Sequence, residues 1–248
     1  MRRDILKAVT AALLFFCLIL PPLEAQQRTS DSSQVYAELV HWAYGQDQEL
    51  VNGLQYYNRH QRSMGHPYLL EGWVHQGSVS LRGKLYTGLW LKYDIYAQHV
   101  EVEYQAMNGA DNQVILVSDR VDHFYIGNYF FQKLKLEEGQ EQEQFYQVIG
   151  NGPLVLYIRW EKKLVPVSGD SRFIEEYSSP KRDYLLQLDG AVNPFNSKKS
   201  FVQLFPESVQ KDMKKLLKRN QLQIRNASTE QLDLFIIAAF NLINGGVQ

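Results

Sequence analysis

A chain of 248 residues, 45% of them hydrophobic and 21% charged, is long enough to bury one sizeable core, and its net charge of −1 offers no electrostatic footprint for nucleic acid. Cys17 is the single cysteine, so a disulfide framework is excluded and the chain beyond it holds no thiolate for a metal.

Arg2, Arg3 and Lys7 precede a nearly unbroken apolar run from Ala8 to Leu20, and Pro21-Pro22 and Leu23-Glu24-Ala25 follow it. That order of charge, apolar stretch and small residue is the pattern of a secretory signal peptide over residues 1–25. The run is shorter than the ~20 residues that span a bilayer, so cleavage near Gln26 is expected in preference to retention as an anchor. Phe16 stands where a lipoprotein site needs a small residue before Cys17, which argues against acylation there. Export to the periplasm or to the outer membrane follows, with no transmembrane segment in the mature chain. Cleavage removes three of the 26 basic and two of the 27 acidic side chains, leaving a charge of about −2.

Residues 26–33 read as a polar tether and 34–248 as one β-rich domain. Within it, turn signals recur at short intervals. Asn52-Gly53 separates Leu50-Val51 from Leu54–Tyr57, the dipeptide that type I′ hairpins prefer. Arg82-Gly83, Asn108-Gly109, Gly150-Asn151-Gly152 and Asp189-Gly190 divide further short apolar segments. From Leu85 to Ile95 the odd positions are mostly apolar and the even ones mixed, as in a strand packed on one side. Val100, Val102 and Tyr104 alternate with His99, Glu101 and Glu103. Val114–Val117 is apolar on both faces, which suggests a central strand, and Leu154, Leu156, Ile158 and Trp160 share one side. Glu137–Gln144 reads as an exposed loop. These segments predict a mainly β (α+β) fold, an antiparallel β-sandwich or a partly closed barrel.

From about residue 197 the pattern turns helical. Val209, Met213, Leu216 and Leu217 form one stripe, with Lys211, Lys214, Lys215, Lys218 and Arg219 elsewhere on the helix. Ser228 and Gln231 form a capping box for a last helix, in which Leu232, Phe235, Ile236, Ala239, Phe240 and Ile243 share a face. That apolar face predicts docking on the sheet.

Gly83-Lys84-Leu85-Tyr86, Leu91-Lys92-Tyr93-Asp94-Ile95-Tyr96 and Lys198-Lys199-Ser200-Phe201, followed by two C-terminal helices, resemble a loose group of exported β-rich envelope proteins of the Bacteroidota. The resemblance implies an envelope location. It carries no activity or site residues.

No chemical motif stands out. Asp119, Asp122 and His123 are the densest ionisable cluster, but their spacing fits no ligand signature and turns favour aspartate. His60 and His66, six apart, are not a helical zinc pair. Glu38 and His41 lack the second copy that a di-iron bundle needs. Ser168-Gly169-Asp170-Ser171 is no nucleophile elbow. Neither a metal, a cofactor nor a catalytic residue is expected. The lysine-rich helix reads as a solvated face, and Asn226-Ala227-Ser228, though a glycosylation sequon, as a helix cap.

The compositional excess is aromatic, fifteen tyrosines and four tryptophans. Tyr86, Trp90 and Tyr96 fall on the mixed face of one strand-like run, where rings can grip a ligand or partner. They are the predicted binding residues. The leading expectation is a non-enzymatic envelope protein that binds another envelope protein, a glycan or an apolar ligand. A small periplasmic hydrolase with an acid/base pair assembled across strands, and a lipid or lipoprotein carrier with a half-barrel cavity, are the alternatives. An apolar cavity marks the carrier, a cleft converging a carboxylate and a histidine marks the enzyme, and a filled core with surface aromatics marks the binder.

Overall fold

A computed structural model describes residues 47–57, 60–72, 74–105, 109–136, 139–169 and 172–245. The expected signal peptide and polar tether and the Glu38–His41 pair lie outside the described residues. All elements below belong to the unit Gln48–Gln248.

Eleven strands form one antiparallel sheet. In spatial order they are β1 (Leu54–Gln55), β6 (Asp111–Ile115), β5 (His99–Gln105), β4 (Lys84–Asp94), β3 (His75–Leu81), β7 (Val121–Ile126), β8 (Tyr129–Leu134), β9 (Gln144–Ile149), β10 (Leu154–Glu161), β13 (Lys181–Leu188) and β14 (Ala191–Phe195). A small second sheet holds β11 (Leu164–Pro166), β12 (Glu175–Tyr177) and β2 (Ser63–Met64), with β12 and β2 parallel. The predicted mainly β class holds. Two hairpins turn on Arg82-Gly83 and Asp189-Gly190, and all four residues have positive φ, as type I′ turns require.

The large sheet curls without closing. Five strand steps separate β4 from β10, roughly 24 Å on a flat sheet at about 4.8 Å per step. Yet the Lys162 N–H donates to the Ile95 carbonyl at 3.1 Å, and the Gln98 amide donates to the Trp160 carbonyl at 2.8 Å. The ends of β4 and β10 therefore meet. The curl encloses Tyr93, Phe124, Phe131 and Phe145, whose ring centroids lie 4.8–6.0 Å apart. These rings come from β4, β7, β8 and β9, so one aromatic cluster ties four strands together.

Three helices cover the rest of the concave face. They are α2 (Lys198–Gln203), α3 (Glu207–Arg219) and α4 (Thr229–Gly245), with the short α1 (Gln48–Val51) at the other end of the unit. The helix at α2 adds one to the two expected. Ser197 caps it reciprocally with Ser200, and the expected box of Ser228 and Gln231 caps α4. Leu232, Phe235, Ile236 and Ala239 of α4 are buried with Phe201 and Phe205, while Phe240 and Ile243 are partly buried. The docked helix matches the prediction. Gln147, buried in β9, accepts from the Trp160 indole (2.8 Å) and donates to Thr229 (2.9 Å), so the polar atoms at this junction are paired.

Three local expectations are corrected. Asn52-Gly53 does not turn a hairpin: Gln48–Val51 is helical, and β1 pairs with β6 through Leu54 and Ile115. Gly53 serves close approach, since a Cβ there would lie 2.2 Å from the Ile115 carbonyl oxygen. Val114–Val117 is not central, because β6 lies next to the sheet edge. The strand buried on both faces is β10, whose Val155 and Tyr157 join Tyr146 and Leu185 in a second cluster. Finally, β4 is not one unbroken alternation. Val79 pairs with Tyr86 but Gly77 with Leu89, a bulge at Thr87-Gly88 where Gly88 has φ +68°. The extra residue reverses the faces, so Leu85, expected in the core, is 57% exposed and Tyr86 turns inward.

Candidate functional site

The bulge also separates the three predicted binding residues. Tyr86 packs against the core, with the Lys84 ammonium 4.8 Å from its ring centroid. Trp90, beyond the bulge, lies on the opposite, outer face and is 47% exposed. Tyr96 has left the strand: it lies in the β4–β5 turn, where His60 and Tyr177 meet its ring edge-on at 5.5 and 5.6 Å. The structure does not bring the three together. Instead Trp90 shares the outer face with residues that alternation alone did not single out. Tyr125 of β7, 47% exposed, stacks on Phe130 of β8 at 4.6 Å, and His123 stands edge-on to Phe130 at 5.6 Å. Leu85 opposes Ser80, and Ser80 opposes His123, which puts Leu85 on this face too. Gln76 and Ser78 of β3 separate the Trp90 side from the Tyr125 side.

Further along the same face the sheet is covered. Beyond His75↔Leu91, β3 no longer flanks β4, and residues 67–69 take its place: Leu69 N–H donates to Tyr93 (2.9 Å) and Ile95 N–H to Pro67 (3.0 Å). This brings Tyr68 over Lys92, Asp94 and Glu101. Asp94 and His99 pair across the β4–β5 hairpin, and Glu101 follows His99 by two on the same side of β5. The result is a buried ionisable cluster. His99 Nε2 bonds Glu101 Oε1 at 2.8 Å and lies 3.7 Å from Asp94 Oδ2. The Gln113 amide and the Tyr68 hydroxyl (3.2 Å) donate to Glu101 Oε2, and the Tyr56 hydroxyl lies 3.3 Å from that of Tyr68. Asp94 Oδ1 accepts the N–H groups of Tyr96 (2.8 Å) and Ala97 (2.6 Å).

The surroundings shift these groups. Burial holds the Asp94 carboxyl above the usual carboxylate range, although the Ala97 and Tyr96 amides and His99 oppose it. Burial, then the Glu101 charge, pushes the Tyr68 phenol well above the usual tyrosine range. Lys92 is lowered by burial while Glu101 and Glu103 resist that change.

The other candidates go to separate partners. Asp122 accepts from Ser80 (2.9 Å) and the Gly83 amide (2.6 Å), and so fastens the β3–β4 turn. Asp119 pairs with Lys133 at 3.1 Å. His60 bonds Glu175 (3.2 Å), whereas His66 accepts the Tyr68 N–H (3.1 Å) and bonds Glu71 (3.0 Å). Both histidines thus position the segment that overlies the cluster. The basic residues of α3 are exposed, with Lys215 paired to Asp212 at 2.8 Å. An open groove of about 1010 Å³ runs beside β13 and β14. Its cations are engaged: Arg182 donates to the Ala227 carbonyl over the Trp160 ring, Arg225 to the Asn196 carbonyl, and Arg159 pairs with Asp183.

Among the described residues no helix is long and apolar enough to cross a membrane. No family model, curated protein or solved structure matches the chain.

Proposed function

We propose that this is an exported, non-enzymatic envelope protein that binds a glycan on the outer face of β4, β3, β7 and β8. The observation that carries this reading is the outer-face row of exposed Trp90 and exposed Tyr125, the latter stacked on half-buried Phe130, interleaved with Gln76, Ser78 and Gln132. Flat rings accept the C–H face of a pyranose, and neutral amide and hydroxyl groups beside them meet its hydroxyls without the desolvation penalty of a charge. Exposed apolar groups gathered on one face of a monomer mark a binding surface more often than singly scattered ones.

The concave face argues in the same direction. A carrier would leave that face open for an acyl chain, whereas here Phe201, Leu232, Phe235 and Ile236 fill it. The Asp94–His99–Glu101 group has the composition of an acid/base pair, but Glu101 is fully buried and both its oxygens are bonded, so it would have to give up one of these bonds to act on a substrate.

Affinity electrophoresis through gels cast with dextran, mannan, xylan or a purified bacterial envelope polysaccharide tests the proposal. Retardation by at least one polymer, abolished in Trp90→Ser, is the expected result. Unretarded migration of the unsubstituted protein in every gel refutes it.

A further inference from the structure

We propose that Asp94, His99 and Glu101 bind one divalent first-row transition ion, best matched by Zn²⁺, at the β4–β5 corner. The three residues lie on two adjacent strands joined by a four-residue turn, so the backbone already fixes their relative positions. One oxygen or nitrogen from each falls within 4.8 Å of the others. Zn²⁺ with bonds of about 2.0–2.2 Å in a tetrahedron holds its ligands roughly 3.3–3.6 Å apart. The His99–Asp94 separation of 3.7 Å meets that spacing, and the 2.8 Å bond from His99 to Glu101 needs to open by well under an ångström.

The chemistry points the same way. An imidazole and two carboxylates are the nitrogen and oxygen donors that such ions select, and the group contains no thiolate. The carboxylate side chains of Asp94 and Glu101 are 8% and 0% exposed, respectively, so both negative charges are withheld from water. Among the described residues Asp94 Oδ2 has no hydrogen-bond donor: both amides go to Oδ1, and His99 Nε2 is spent on Glu101. That oxygen, on a side chain only 8% exposed, faces the His99 nitrogen at 3.7 Å and is open to a metal ligand bond. Metal binding releases to solvent the proton held between His99 Nε2 and Glu101 Oε1, replaces that one hydrogen bond by three coordination bonds, and leaves the fourth position to water entering past His99, the most exposed of the three. The Gln113 amide and Tyr68 hydroxyl then orient Glu101 from behind, as groups behind a metal's ligands do. This inference is independent of the glycan-binding reading.

The test uses the purified protein, stripped with EDTA and dialysed, and titrated with Co²⁺ as a visible-light reporter of Zn²⁺ sites. One equivalent of Co²⁺ bands, bleached by one equivalent of Zn²⁺ and unmoved by Ca²⁺ or Mg²⁺, is expected, together with a higher melting temperature. His99→Ala and Asp94→Asn should each weaken Zn²⁺ binding at least about tenfold, while His123→Ala binds normally. Asp94→Asn keeps an acceptor for the Tyr96 and Ala97 amides, so it stays folded if His99→Ala does not. Absence of Co²⁺ bands and of any Zn²⁺-dependent melting shift in the unsubstituted protein overturns the proposal. So does a folded Asp94→Asn protein that binds Zn²⁺ as tightly as its parent, or preference for Ca²⁺.

Discussion

Between Leu85 and Trp90 the outer face of β4 meets solvent, whereas from Lys92 to Asp94 the same face lies beneath Tyr68 and its neighbours and is buried. The two stretches belong to one strand and differ in what each places outward. The first presents apolar and aromatic side chains to water, against the usual sense of burial. The second buries Lys92 and Asp94, beside Glu101 of β5, also against it. Neither arrangement stabilises the fold in an obvious way. Exposed rings forgo the transfer free energy of burial, and buried charges bring a desolvation penalty that their pairing must offset. Both stretches depart from ordinary burial, and both lie opposite a concave face that is packed in the ordinary way.

The packed face gives the largest expected effect and the reference for the others. Phe235→Ala should destabilise by about 3–5 kcal/mol, because its ring, projecting from α4, is buried against Phe201 of α2. Phe240→Ala should destabilise less, its ring being only partly buried. Urea denaturation of the two variants checks the order, and equal losses would contradict the packing described.

The buried polar stretch comes next. Tyr68→Phe removes a donor from Glu101 Oε2 and should destabilise by about 1–3 kcal/mol, the penalty for depriving a buried acceptor. A denaturation midpoint equal to that of the parent would mean that Gln113 suffices, and that residues 67–69 do not seal the cluster.

A broader and gentler effect comes with pH. Burial first raises the phenols of Tyr56, Tyr68, Tyr93, Tyr157, Tyr177 and Tyr184, that of Tyr177 up to about 12. A folded-state value above the unfolded one gives stability that is complete below pH 10 and is lost as pH rises through the folded value. Lys92 and Lys162, lowered by burial, act in the opposite sense, but two lysines face six tyrosines. The urea midpoint should fall as pH climbs from about 10 to 12. A flat or rising midpoint across that window would contradict the burial assigned to these rings.

Much of the concave face was legible in the sequence. The period of two in Leu154–Trp160 and the Ser228–Gln231 box both name elements that exist, because strand alternation and helix capping are local properties. The outer face was less legible, and the reason is one residue. Gly88 inserts a bulge that no alternation count reveals, so Tyr86 and Leu85 exchange faces and the set Tyr86, Trp90 and Tyr96 falls apart. Tyr125 was hidden differently. It sits next to Phe124, and two adjacent aromatics do not tell which one faces the core until Phe131 and Phe145 are seen to surround Phe124. Asp94, His99 and Glu101 match no ligand spacing along the chain. Only the hairpin register places the first opposite the second, and the polar side of His99, Glu101 and Glu103 was the visible trace of it. Asn52-Gly53 failed for the reverse reason: the dipeptide is a sound turn signal, but the backbone of Ile115 claims the space beside Gly53.

The smallest expected effect on stability is the one that decides whether the exposed stretch exists to bind. In Trp90→Ser the denaturation midpoint should correspond to a change within about 0.5 kcal/mol, as for a surface side chain. Retardation by the polysaccharide that holds back the parent protein should at the same time disappear. A loss of several kcal/mol, or unaltered retardation by a stable Trp90→Ser protein, would contradict the assignment of the outer face as the binding surface.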